Sequence, residues 1–143
     1  MKKSIILCFG CLLAAASYAF DPNTKVLKAF SQTFSAAENV KWLEFTDYYS
    51  VSFLFSGIRS KINYDKEGNI LGSTRYYDPI ALPISIFTKL KREYPAKELF
   101  GVTEITAGSD MVYFIKMQDA KHWVTLKVDA LGNSEVYEKY KKG

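Results

Sequence analysis

A nine-residue stretch at 63–71, NYDKEGNIL, returns in outline 64 residues later as KVDALGNSE at 127–135. At that offset Tyr49, Val51 and Phe53 fall on Tyr113, Ile115 and Met117. Asp65, Gly68 and Asn69 fall on Asp129, Gly132 and Asn133. Upstream the offset becomes 60, and Leu27, Phe30 and Phe34 fall on Phe87, Leu90 and Tyr94. A periodic pattern that recurs in this way is the mark of one architectural unit built twice, with a four-residue difference in length.

Each unit opens on a helical spacing and continues with alternation. In the first, Leu27, Phe30 and Phe34 recur at intervals of three and four with Val26 beside them. Asp21 can cap this helix, and Pro22 suits its first turn. The second helix starts near Pro83, carries a stripe of Ile84, Phe87, Leu90 and Tyr94, and is stopped by Pro95. Strands are expected over 39–45, 48–56, 58–65 and 69–77, then 99–106, 110–118, 121–129 and 133–140. The segment DPIALP at 78–83 links the units. The reading is an α+β chain, a tandem duplication of a helix plus a four-stranded antiparallel sheet. Residues 20–78 form the first repeat and 79–143 the second. A unit of that size is marginal alone, so the two are expected to form one compact body.

The repeated loop could be a calcium site or a turn. A calcium loop of the helix–loop–helix kind places its glycine sixth and a bidentate Glu twelfth. Counted from Asp65, the glycine is fourth and the twelfth residue is Tyr76, and the second copy has Leu131 at the third position. A turn needs only an Asp that bonds its own backbone and a glycine at positive φ, and both copies keep these. The loop reads as architecture, with no metal and no cofactor.

Residues 1–19 read as a signal peptide. Lys2 and Lys3 precede an apolar run from Ile5 to Ala16, and Ser17-Tyr18-Ala19 offers the small residues of a cleavage site. The run is too short to span a bilayer, which takes about 20 apolar residues. A lipid-anchored Cys11 is the lesser alternative, since Cys8-Phe9-Gly10 is a poor signal for it. Cleavage would remove both cysteines, Cys8 and Cys11, so the exported chain would have no disulfide and no thiolate. The location expected is periplasmic or secreted, with no transmembrane segment in the mature chain. Net charge falls from +4 to +2 when Lys2 and Lys3 leave, too little to argue for a nucleic-acid partner.

Catalytic sets are hard to assemble. The mature chain has one histidine, His122, at an inward alternation phase, where a structural role is expected. There is no Gly-rich phosphate loop and no G-x-S-x-G. Glu38, Glu44, Asp47 and Glu104 remain as dispersed carboxylates and are read as solvated strand ends and turns. The chain is therefore read as a non-enzyme.

What remains is surface. The sheet face turned away from the helices is expected to carry Trp42, Tyr48, Leu54, Arg59, Lys61, Arg75 and Tyr77 from the first unit. The second unit would add Phe114, Lys116, Trp123, Lys127, Tyr137 and Lys139. Aromatics mixed with Arg are the composition of interface hot spots, although such aromatics also pack on one another as cross-strand pairs. Two readings stay open: a protein gripped on the open sheet, or a small ligand or envelope polymer held in a cleft between the repeats.

The pattern V-x-W … Y-x-V-x-F … G … D-x-x-G-N, carried by Val40, Trp42, Tyr49, Val51, Phe53, Gly57, Asp65, Gly68 and Asn69, resembles small exported PepSY-like proteins of the β-lactamase-inhibitor-protein-like (BLIP-like) group. The second unit follows more loosely, with Ala120-Lys121 in place of Ser56-Gly57. The resemblance covers 24–140. It implies tandem helix-plus-four-strand units, a concave sheet surface, and a binding or inhibitory role toward another envelope protein such as a peptidase.

Overall fold

The computed structural model describes residues 21–143; the signal-peptide reading of 1–19 lies outside the described residues. Helix α1 (Thr24–Thr33) is followed by strands β1 (Glu38–Glu44), β2 (Tyr48–Phe55), β3 (Ile58–Asp65) and β4 (Ile70–Tyr77). A short 3-10 turn (Pro79–Ala81) leads to helix α2 (Ile84–Glu93) and strands β5 (Glu98–Ala107), β6 (Asp110–Gln118), β7 (His122–Asp129) and β8 (Ser134–Lys141). The eight strands form one antiparallel sheet in which each pairs with its sequence neighbours. The chain is thus α+β, with a strand-rich sheet.

Local chemistry sets the helix ends. The cap of α1 is Asn23, not Asp21: its side-chain oxygen accepts from the Val26 N–H at 3.1 Å. Pro22 lies just before the cap and is buried. The helix α2 begins directly after Pro83 with no side-chain cap, and its last helical residue is Glu93, two before Pro95. Its stripe also differs from the expected one. Ile86 and Leu90 are buried, while Ile84 is exposed. Helical phase allows only one of Ile84 and Ile86, half a turn apart, to meet the sheet.

Both helices lie on the same sheet face. Val26 and Phe30 pack on Tyr49, Val51, Phe53, Ile62 and Tyr64. Leu82, Ile86 and Leu90 pack on Val102, Tyr113, Ile115, Met117, Val124, Leu126 and Val128. The strand register connects these two clusters through one row of partners: Phe53, Ser60, Arg75, Glu104, Tyr113 and Val128. Between two apolar cores, the helix side of the sheet therefore carries a polar seam.

The repeated loops are turns. Asp65 Oδ1 accepts from the N–H groups of Glu67 and Asn69, each at 2.9 Å, and Oδ2 accepts from the Asn69 amide at 2.9 Å. Asp129 makes the same three bonds with Leu131 and Asn133. The Asn side chain, then the backbone N–H groups, hold each carboxyl below its usual range. The glycines have a second task. Gly68 (φ 93°) is seated against α1, where a Cβ would lie 3.1 Å from the Lys25 carbonyl oxygen. Gly132 (φ 86°) sits against α2 with more room, 3.5 Å from a Lys89 side-chain carbon. We expect Gly68→Ala to destabilise by about 2–3 kcal/mol and Gly132→Ala by about 1–2 kcal/mol, because both incur left-handed strain but only the first meets backbone. Urea denaturation of the two variants checks the order; equal costs would remove the close approach as a cause.

Candidate interaction face

With both helices on one side, the other side of the sheet is uncovered by any described helix. Register defines its rows. One runs Leu54, Arg59, Tyr76, Thr103, Phe114 and Lys127 across six strands. A second runs Ser52, Lys61, Thr74, Ile105, Val112 and Asp129. Cations and rings interleave. The Arg59 guanidinium lies 4.8 Å from the centre of the Tyr76 ring, and Lys142 Nζ lies 4.2 Å from that of Trp123. Phe114 meets Tyr137 edge-on at 5.0 Å, and Phe100 meets Trp123 at 5.6 Å. Near β1, Tyr48 stacks on Phe45 at 4.4 Å. Tyr137, Tyr140 and Trp123 stay well exposed, at 58%, 60% and 43%.

The face also has a notch of about 250 Å³ lined by Asn63, Gly72 and Ala107, with Tyr48, Leu71 and Ile105 beside them. Asn63 and its register partner Ser50 each carry a buried side-chain oxygen without a hydrogen-bond partner among the described residues.

Of the residues expected here, Tyr48, Arg59, Lys61, Phe114, Lys116, Trp123, Lys127 and Tyr137 do share this face. Trp42, Arg75 and Tyr77 do not. Trp42 pairs with inward Val51 and packs edge-on against Phe30 of α1 at 5.3 Å. Pairing runs unbroken from the hairpin, Glu44 with Tyr49, Leu43 with Ser50 and Trp42 with Val51, and this sets its phase; the register shift between Glu38 and Lys41 lies beyond it. Arg75 and Tyr77 stand opposite Glu104 and Val102 on the helix side. A second shift, at Asn63/Tyr64, sets the phase of β4. Lys139 faces inward too, opposite Val124. In exchange, Tyr76, Phe100 and Tyr140 belong to the open face. Tyr76 had a signal in sequence, since it is the neighbour of Tyr77 and only the phase separates them. Tyr140 had none, because a shift between Thr125 and Leu126 displaces the pairing of β8.

The helix-side seam is built around Glu104. Its oxygens accept from Arg75 Nε and Nη2, each at 2.9 Å, and from the Tyr77 hydroxyl at 2.6 Å. The Glu104 side chain is 7% exposed and that of Arg75 45%. Burial pushes the Glu104 carboxyl up, but the hydrogen bonds from Arg75 and Tyr77 and the Arg75 charge outweigh it and leave the group below its usual range. Burial and the Glu104 bond push the Tyr77 hydroxyl far up. Glu104 is thus a buried, paired carboxylate rather than a solvated one. Glu44 is bonded by Lys66 at 3.1 Å. His122 lies beside Asp119, whose Oδ1 accepts from the His122 backbone N–H at 2.7 Å and whose Oδ2 is bonded by Lys97. Among the described residues, no three His, Cys, Asp or Glu side chains converge as a metal site would require. No helix among them is long and apolar enough to cross a membrane.

No family model matches the sequence, and no curated protein matches it. Solved structures do. A BLIP-like protein from Bacteroides fragilis superposes with a TM-score of 0.62 at 16% identity, over 87% of this chain and 90% of that one. A DUF2874 family protein from Bacteroides ovatus gives 0.62 at 15%, over 85% and 89%. A Bacteroides eggerthii protein provisionally assigned to the periplasm gives 0.61 at 13%, over 85% and 90%. At such identities the likeness speaks for the fold, and with two helices laid on one face of an eight-stranded meander, this chain has a BLIP-like fold.

Proposed function

We propose that this chain is a non-catalytic periplasmic binding protein that grips another envelope protein on its open sheet face. The carrying observation is the uncovered face itself, on which exposed aromatics alternate with Arg59, Lys61, Lys116 and Lys127. Rings supply large apolar contact at little entropic cost, and the cations select a partner surface with acidic groups. The partner we favour is an enzyme, a peptidase in the first instance, covered and inhibited by the face, in keeping with the BLIP-like fold. A cleaved signal peptide at 1–19 delivers the chain. Its two halves, 20–78 and 79–143, descend from one duplicated unit; the helices lie 60 residues apart and the last two strands of each half 64 apart, in keeping with the two sequence offsets.

The test uses the mature protein as bait against the envelope fraction of the source organism, beside a Trp123→Ala/Tyr137→Ala bait with the same melting temperature. We expect a partner held by the first and lost from the second, with retention that falls as salt rises. The same proteins on both baits would overturn the open-face reading.

A further inference from the structure

A second cavity lies on the opposite side of the sheet, beside α1. It measures about 400 Å³, within the range of small-molecule sites. Phe34, Phe53, Phe55 and Ile70 supply apolar wall, and Ser73 and Arg75 the polar side. The wall is packed in place: Phe34 meets Phe53 at 4.9 Å and Phe55 edge-on at 5.3 Å. The hollow exists because α1 covers one core, α2 covers the other, and the strands between them keep short side chains, Ser60 and Ser73, on that side.

Charge decides what this cavity can take. Arg75 spends Nε and Nη2 on Glu104, so the pair is neutral as a unit. The hydrogen bonds to Glu104 use Nε and Nη2 and leave Nη1 as the remaining donor of the guanidinium, and Ser73 lines the same cavity. The cavity thus offers donors without net positive charge. An anionic head would place a second carboxylate near Glu104 with no cation to spare, and desolvating it would go uncompensated. We propose that this cavity binds a small neutral amphiphile, an aliphatic chain ending in an ester, amide or hydroxyl oxygen. The chain lies among Phe34, Phe53, Phe55 and Ile70, and the head oxygen accepts from Arg75 Nη1 and Ser73. The site goes beyond the open-face reading and lies on the other side of the sheet from it.

The mature protein is titrated by calorimetry with methyl dodecanoate and, separately, with dodecanoate, both below their aggregation limits. We expect saturable one-to-one binding of the ester and about tenfold weaker binding of the acid anion. Ser73→Phe, which fills the cavity, should abolish ester binding. Thr74→Phe, one residue along on the open face, should leave it intact. If Ser73→Phe fails to fold, Ile70→Trp at the exposed rim replaces it with the same expectation. No saturable ester binding, equal or tighter binding of the anion, or binding that survives the filled cavity would overturn the proposal.

Discussion

Trp42→Ala should cost about 3 kcal/mol of stability, whereas Trp123→Ala should cost less than about 1 kcal/mol. Either tryptophan could pass for a surface anchor in sequence. The fold separates them. Trp42 sits among Phe30 at 5.3 Å and Tyr64 at 6.2 Å and packs on the first core. Truncation there leaves a cavity bounded by aromatic rings that cannot collapse into it. Trp123 is 43% exposed, with Phe100 and Lys142 as neighbours, and water can replace what alanine loses. Urea denaturation with unchanged slope measures both. Equal losses would place Trp123 in a core and weaken its assignment to the open face.

Arg75→Met should destabilise by about 2–3 kcal/mol, the lower part of what losing one member of a buried pair costs, because the Arg75 side chain is itself half exposed. What remains is a glutamate almost wholly out of water, with only Tyr77 to bond it. The double variant Arg75→Met/Glu104→Leu should recover most of the loss, short of about 1 kcal/mol for the stranded Tyr77 hydroxyl. Failure to recover would mean that Arg75 acts through packing rather than through Glu104.

The pH dependence distinguishes these states by sign. In the wild type the Glu104 carboxyl lies below its unfolded value, so its contribution is present above that value, about 4.3, and is lost as pH falls through the folded one. In Arg75→Met burial dominates and raises the carboxyl above the unfolded value. The variant should then gain stability relative to wild type as pH falls toward about 4.3. Paired melts at neutral and mildly acid pH read this reversal, and a constant difference between the two proteins would contradict it.

Most of the scaffold could be read from residues one at a time. Alternation in YYSVSFLF and HWVTLKV puts Val51 with Phe53, and Val124 with Leu126, on one phase of each strand, and all four are buried; the strand ends fall within a residue of expectation. Asp65 with Gly68 and Asp129 with Gly132 marked the turns, because a carboxylate bonding its own backbone and a glycine at positive φ are local needs. The facing of β4 differs from expectation for a definite reason. Arg75 and Tyr77 stand on the helix side because the register shift at Asn63/Tyr64 resets the phase of β4. A bulge adds one residue and turns all later side chains over, and it leaves no mark in a two-residue period.

The sequence by itself determined which segments are helix, strand and turn, and most of the apolar residues that form the two cores. Those properties follow from periodicity and from backbone preferences that act over a few residues. Only the tertiary structure decided that both helices share one face, which aromatics remain in water, and that Arg75 and Glu104 meet across β4 and β5. These depend on register between strands and on the gap left between two helices, quantities that belong to pairs of distant segments and to no single one of them.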